Sequence, residues 1–562
     1  MFLALELCLT AIAVAIAFTY PQLGDRWFAG IEQSLAGLAN RRVLAVVTIG
    51  LLAIGLRLAL LPILPVPVPE VHDEYSHLLL ADTLAHGRLA NPTHPMWIHF
   101  ETFHVNWHPT YASMYYPGHA LFLAFGQVVL GNPFWGVLLS SGLMCAAICW
   151  ALQGWMPPGW ALLGAFLAVI RLATFSYWAN SYWGGTVSAL GGALVLGAYP
   201  RIKNHRRPRD GFLLGLGMAI LAITRPYEGI FFCLPVAVAL LVWASRQKEA
   251  PFKTLLANIA VPATVTLLIG LVWLGYYFWR VTGSAFTTPY QVNIRTYGLV
   301  YFPWQHLRPV APFHHKVLQS FYRGISLPNL FNFARQHPIK LQGCKALVVW
   351  LFYCGPLLTA PWIVWCSTRK KGEFWKSIKP DLRFLLSLCA CAYISIALTI
   401  YVGQPHYAAP MTIAFYAATM LIMRDLVVTQ SGRSLVRSVF VVASVLFATV
   451  TVTLTFHAEP NPTGARIWCS TLLQNLERAH ISNQLDHTAG KHVVIVRYGA
   501  DHDLSAEWVY NNADIDGSDI VWARDMGKQN AELLEYFRNR KAWVVEPDDR
   551  PVKLIPYAEQ SN

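Results

Sequence analysis

The chain has 562 residues, of which 55% are hydrophobic and 13% charged, about half the charged share of an ordinary soluble domain. That balance excludes a soluble globular enzyme and describes a mostly α, polytopic transmembrane helical bundle. The formal charge of +13 does not point to a nucleic-acid partner, because the basic residues collect in short segments between apolar runs, where membrane lipids supply the counter-charge.

Residues 2–19 could be mistaken for a signal peptide. They carry Glu6, have no Lys or Arg, and lead into Tyr20-Pro21 without a small-residue cleavage pattern, so they read as a retained span. In residues 21–40, Phe28, Ile31, Leu35 and Leu38 recur at helical spacing, which predicts a helix lying flat on the cytoplasmic surface. The apolar run 43–64 is long enough to cross a bilayer. A Pro-rich hinge, Pro65 to Pro69, follows it and leads to Asp73-Glu74 at the mouth of the span. A helical run, Leu78 to His86, comes next. A loop rich in His and Trp then returns to the membrane at Tyr116-Pro117-Gly118.

Basic clusters set the orientation: Arg41-Arg42, Arg201 to Arg209, Arg246 to Lys253, Arg369 to Lys371 with Lys376 and Lys379, and Arg424 with Arg433 and Arg437. The positive-inside rule places all of them in the cytoplasm. The acid-pair loop 65–116, a second large loop 282–342 and everything after 457 are then extracytoplasmic. The later runs 211–224, 229–245, 255–281, 343–366, 384–402, 407–424 and 438–456 alternate consistently. Four apolar segments, 117–131, 134–153, 159–173 and 184–199, lie where an odd number of crossings is needed, so one of them is a half-span or re-entrant piece. The expectation is roughly 11–13 spans.

From 457 the apolar density falls. His492 to Tyr498, Asp519 to Ala523 and Ala542 to Val545 read as strands, and Asn530 to Arg540 as a helix. The chain therefore divides into a membrane catalytic domain, 1–456, and a small extracytoplasmic α/β domain, 457–562. Most of the ten cysteines, such as Cys145, Cys149, Cys389 and Cys391, lie in apolar runs with no CxxC pair, so no disulfide framework is expected.

The notable polar residues fall on one side of this topology. Asp73 and Glu74 are the candidate catalytic pair, with Asp73 as general base. Glu74 orients it, binds a metal or points away, since adjacent helical residues do not share a face. The bland alternative is that the pair caps the following helix. Arg225, in Thr224-Arg225-Pro226-Tyr227-Glu228, suits a lipid phosphate, the alternatives being an Arg225–Glu228 pair or simple snorkelling. Glu228, His77, His104, His108, Tyr116, Gln404 and His406 complete the candidate substrate-binding set. The spacing of the loop histidines matches no metal template.

The Asp73-Glu74 pair after the second span, the helix with Ala81 and Gly87, the Tyr116-Pro117-Gly118 re-entry and Arg225-Pro226 resemble the GT-C superfamily of integral-membrane glycosyltransferases. The bacterial protein O-mannosyltransferase and aminoarabinose transferase branch is the nearest in pattern. The resemblance covers the plan of residues 43–456. It implies that Asp73 is catalytic with Glu74 as its motif neighbour, and that an inverting transfer uses a polyprenyl-phosphate sugar. Two departures are the high histidine content of the loop and Pro-Gly where Pro-Pro is usual. The tail matches no named family, and it is expected to assist acceptor handling without being the catalytic centre. The absence of a GxGxxG or P-loop motif also favours a lipid-linked donor. The expected reaction moves a sugar to a hydroxyl of a glycan, lipid or protein acceptor, on the outer face of a bacterial plasma (inner) membrane. No cofactor is required, and a divalent metal is not indicated. The competing classes are a lipid or solute transporter or flippase, and a membrane-anchored sensor whose active part is the tail. A transporter predicts charges near mid-bilayer, of which Arg171 is the nearest case.

Overall fold

A computed structural model describes residues 2–247, 252–307, 310–324, 326–369, 378–401, 404–456, 466–467, 470–471 and 475–557. Lys248, Lys370, Lys371 and Lys376 of the basic clusters lie outside the described residues, as does the start of the tail. Seven of the described helices are long and apolar enough to cross a membrane, up to eight if one bent pair counts as a span. Shorter helices, such as Pro158–Leu172 and Thr412–Leu426, complete the bundle.

Contacts at the helix ends define two faces. Gln153 Nε2 donates to Arg42 O over 3.0 Å, and at the other end the Arg57 guanidinium lies 4.9 Å over the Phe134 ring. Helices Arg42–Ala59 and Phe134–Trp155 are therefore antiparallel, and Phe134 starts at the face where the acid pair begins. Helix Pro117–Leu130 also starts there, so it leaves and rejoins the same face without crossing. It is the incomplete segment that the odd count requires. Glycine permits its close crossing, since a Cβ on Gly126 would stand 2.3 Å from Gly136 N. The following helices then alternate, bringing Arg201 and its basic neighbours back to the opposite, basic face.

The run 343–366, expected as one span, is broken. Helix Pro338–Tyr353 bends by 99° into Gly355–Ser367. Gly355 has φ +54°, and a Cβ there would meet Arg171 Nη2 and Glu6 Oε1, each at 2.5 Å. The break frees carbonyls on one side and N–H groups on the other, and both need partners. Arg171 donates to Phe352 O (2.8 Å) and Leu351 O (2.6 Å), while Glu6 accepts from Leu357 N (3.1 Å) and Arg171 Nη1 (3.2 Å). The one conspicuous mid-sequence charge is thus a helix-end cap. Lys345, fully buried, donates to Ile396 O and Thr399 O at the end of Pro380–Ala397, which keeps Pro338–Tyr353 at the acid-pair face.

Helix Asp25–Asn40 forms where the 21–40 spacing places it. Arg437 ties it to the basic end of Gln430–Phe456 through Asp25 and Glu32. Trp27, Ile31 and Leu35 stay exposed.

The tail is an α/β fold. Strands Ile520–Arg524, His492–Val496, Lys541–Val545 and Leu554–Pro556 lie in that spatial order, the first three parallel and the last antiparallel. Helices Leu476–Asp486 and Asn530–Tyr536 accompany them. The tail has a core of its own, in which Ile481, Val494, Trp508 and Val545 are buried together, and a further cluster crosses the division at 456. Tyr75, Phe100, Trp107 and Tyr111 of the acid-pair loop form one buried cluster with Val493, Tyr510, Val521 and Phe537 of the tail. Tyr75 stacks on Tyr510 at 4.3 Å, and Arg524, itself buried, donates to Glu101 O over 2.6 Å.

Candidate active site

The hinge sets the first residues of the site. Pro65, Pro67 and Pro69 cannot continue the preceding helix, and Arg57 holds the freed carbonyls of Leu64 (2.9 Å) and Pro65 (3.3 Å). The chain re-enters helix at His72–Ala85. In its first turn Glu74 turns back on the backbone. One carboxylate oxygen accepts from Glu70 N (3.0 Å) and Val71 N (3.3 Å), and the other from Tyr182 N (2.9 Å). Burial pushes its carboxyl up to about 7, against the pull of those three backbone donors. Glu74 is therefore a buried cap.

Asp73, one residue earlier, faces a different way, and its carboxylate accepts a hydrogen bond from the Tyr115 hydroxyl. It lines a cavity of about 1000 Å³. The same wall carries His77, His104, Tyr116, Arg225, Glu228, Gln404 and His406. Two of the candidates are elsewhere: Glu74, for the reason above, and His108. The latter is exposed beyond the short hairpin Val105–Asn106/Ala112–Ser113, edge-on to Trp97 at 4.9 Å.

His77 stacks on Tyr115 at 4.4 Å and meets His119 edge-on at 5.1 Å. His104 holds φ +59°, uncommon for a residue with a side chain, and its carbonyl accepts from Ser76 Oγ over 2.7 Å. Burial lowers both His77 and His104, and takes His72 down to about 4. At neutral pH these rings are uncharged hydrogen-bonding groups. Arg225 is the permanent cation among the described residues of the wall. Its Nη1 donates to Glu228 Oε1 over 3.2 Å, and its guanidinium lies 4.9 Å over Tyr407. His406 Nδ1 pairs with the Tyr177 hydroxyl at 2.9 Å, which fixes that ring beside Tyr407.

Part of the cavity is apolar, lined by Leu299, Phe302, Leu327, Leu330 and Ile396. Its remaining edge comes from the tail, where Ala500 to Ser505 line the same space. His72 Nε2 donates to Leu504 O over 2.7 Å and pins this segment in place. Asp548 accepts from Gly499 N and from His502 Nδ1, both at 2.8 Å. Asp501 and Asp503 thereby join Asp73 and Glu228 as carboxylates around the cavity. Sequence reasoning missed Tyr115, His119, Tyr290, Tyr301 and the whole 500–505 segment. Tyr115 had a signal, its place beside Tyr116 at the re-entry. The tail segment lies more than 400 residues from Asp73 in sequence, and no local pattern links them. Among the described residues, no group of three or more His, Cys, Asp or Glu side chains is arranged to hold a metal ion.

The two acids should separate by mutation. Glu74→Gln supplies one acceptor oxygen where two serve three N–H groups, and turns an NH2 toward a backbone donor. Leaving buried donors unsatisfied costs about 1–3 kcal/mol. The expected outcome is a lowered melting temperature with turnover per folded molecule retained, read by thermal unfolding alongside activity. A stable but inactive variant would place Glu74 in the chemistry.

No protein-family model and no curated protein sequence matches this chain. Among solved structures, the chain is similar to the Archaeoglobus fulgidus oligosaccharyltransferase in a complex with Zn and sulfate, at 11% identity and TM-score 0.49, over 89% of this chain and 67% of that one. It is also similar to ArnT from Cupriavidus metallidurans in the apo state, at 12% identity and TM-score 0.47, over 88% and 92%. The third is ArnT bound to undecaprenyl phosphate, at 13% identity and TM-score 0.46, with the same coverage.

Proposed function

We propose that this protein is a membrane glycosyltransferase that moves a sugar from a polyprenyl-phosphate donor to an acceptor hydroxyl. The observation that carries this reading is a single cavity holding a carboxylate, Asp73, a guanidinium, Arg225, and an apolar wall from Leu299 to Ile396. These parts match the reaction. The acceptor oxygen attacks the anomeric carbon, and its proton passes to the Asp73 carboxylate. The bond from that carbon to the phosphate oxygen breaks, and its electron pair stays on the phosphate. The leaving phosphate gains charge, which Arg225 is placed to stabilise. The apolar wall receives the lipid chain. One in-line displacement inverts the anomeric centre.

Tyr115 holds one Asp73 oxygen by its hydroxyl, which leaves the other for the acceptor. Glu228 is the resting partner of Arg225, and an arriving phosphate competes with it. The positive-inside rule supports an extracytoplasmic cavity, because the basic clusters lie at the opposite ends of the helices. The broken helix, a feature that a transporter uses to bind its cargo, here has its free ends filled by Glu6 and Arg171.

The test is purified protein with a panel of radiolabelled polyprenyl-phosphate sugars and extracted glycan, lipid and protein acceptors. Transfer from no donor of the panel overturns the reading. Within the same assay, Arg225→Ala should lower kcat/KM for the donor by about 10–100-fold, the scale of one charge-assisted phosphate contact. Arg225→Lys should retain part of it, because a point charge survives without the planar fork. Equal activity of the two variants at limiting donor would make Arg225 a structural residue.

A further inference from the structure

A second cavity, of about 390 Å³, opens at the basic face, far from the acid pair. Arg42, Arg201, Arg209 and Asp210 line it, with Val43 and Val47 on its apolar side. The carboxylate of Asp210 is its odd feature. The residue is 1% exposed, and neither oxygen has a hydrogen-bond partner among the described residues. Arg209 Nε forms an ion pair with Oδ1 at 3.7 Å, too long for a hydrogen bond. A buried carboxylate without donors is costly unless something supplies them. Arg201 is fixed beside it: its Nη1 and Nη2 donate to Gly197 O (2.7 Å) and Trp150 O (2.6 Å), and its guanidinium lies 4.0 Å over the Trp150 ring. Arg42 and Arg209 are exposed at the rim.

We propose that this cavity binds the headgroup of a phospholipid bearing both a phosphate and a primary ammonium group, an ethanolamine phospholipid. The guanidiniums of Arg42 and Arg209 suit the phosphate oxygens. The ammonium supplies Asp210 with the charged N–H donors that the protein withholds. The two groups are joined by two carbons in the lipid, a span that fits a cavity of this size. Val43 and Val47, 79% and 48% exposed on the flank of helix Arg42–Ala59, give the acyl chains a surface to run along. A purely anionic headgroup is disfavoured, because it brings a further negative charge to Asp210 and no cation to balance it. This site is independent of the chemistry at the opposite face.

The probes are three pure lipids added to delipidated full-length protein, with retained lipid counted by native mass spectrometry. Phosphatidylethanolamine has phosphate and N–H donors. Phosphatidylcholine has phosphate and cation but no N–H. Phosphatidylglycerol has phosphate and hydroxyls but no cation. The ethanolamine lipid should be retained about tenfold better than either, the worth of one charge-assisted hydrogen bond. Asp210→Asn should abolish that difference. The rim double variant Arg42→Gln, Arg209→Gln should weaken retention of all three. Equal retention of the three lipids by the wild-type protein, stronger retention of the glycerol lipid, or an ethanolamine preference that survives in Asp210→Asn would overturn the proposal. Should Asp210→Asn fail to fold, undiminished retention by the rim variant overturns it equally.

Discussion

Replacing Asp73 by Asn is expected to lower sugar transfer by about 10²–10⁴-fold, the usual loss on removing a general base, while the protein still folds. The two side chains have nearly the same shape. The amide oxygen of Asn can still accept from the Tyr115 hydroxyl, so the cavity keeps its outline. Asp73 also lies in the first turn of helix His72–Ala85, where a negative charge is worth about 0.3–1 kcal/mol through the helix dipole. That loss is small beside the stability of a chain this size. What disappears is the oxygen that can take a proton. Donor binding should persist, because Arg225 and the apolar wall are untouched. The measurement pairs turnover of labelled donor with a melting curve and a donor-binding isotherm. Near-wild-type turnover in a folded variant would remove Asp73 from the mechanism, and loss of donor binding would assign it a binding role instead.

The membrane plan and the acid pair were legible because both depend on local signals. Apolar run length predicts spans, and clustered Lys and Arg predict their ends. Those rules place Asp73, Arg225 and His406 at one end of the bundle, and all three line one cavity. The rules fail where an apolar run is cut short or broken. Pro117–Leu130 and the bent pair Pro338–Tyr353 with Gly355–Ser367 read in sequence as ordinary apolar runs, and the shortness of the first and the 99° bend of the second emerge only in the fold. The Asp73-Glu74 doublet shows a second limit. Both residues are acids at a helix start, and composition cannot tell which one turns inward to Tyr182 N and which faces the cavity. The tail strands were legible from their β-branched runs. The docking of the tail was not, because stacking of Tyr510 on Tyr75 joins segments that no local pattern connects.

That docking sets the tail against both the 65–116 loop and the cavity. Truncation after Phe456 should abolish transfer and also leave the 65–116 loop open to proteases. The tail covers Tyr75, Phe100, Trp107 and Tyr111, each buried to within a few percent of full in the intact protein. Fully exposing one such aromatic forfeits roughly 1.5–3 kcal/mol, so four of them forfeit at most about 6–12 kcal/mol, a sum within the 5–15 kcal/mol that holds a typical fold together. Polar links go as well. Glu101 O loses Arg524, the Asp82 carboxylate loses Ala513 N at 2.8 Å, and the Tyr111 hydroxyl loses Asn511 O at 3.0 Å. Inside the tail, Arg524 is balanced by Glu507 at 2.6 Å; although burial alone would raise the Glu507 carboxyl, Arg524 holds it below the usual range. This buried pair lets a charged residue cross the junction without a stranded charge. A single-site version of the test is Tyr510→Ala, which removes the partner of Tyr75. It should destabilise by about 3–5 kcal/mol, as other buried aromatic truncations do, and should loosen segment 500–505 from the cavity. Limited proteolysis of both variants in detergent, followed with labelled-donor turnover, decides the matter. A truncated protein whose 65–116 loop stays protease-resistant and whose donor turnover matches the full chain would show that the tail is an accessory after all.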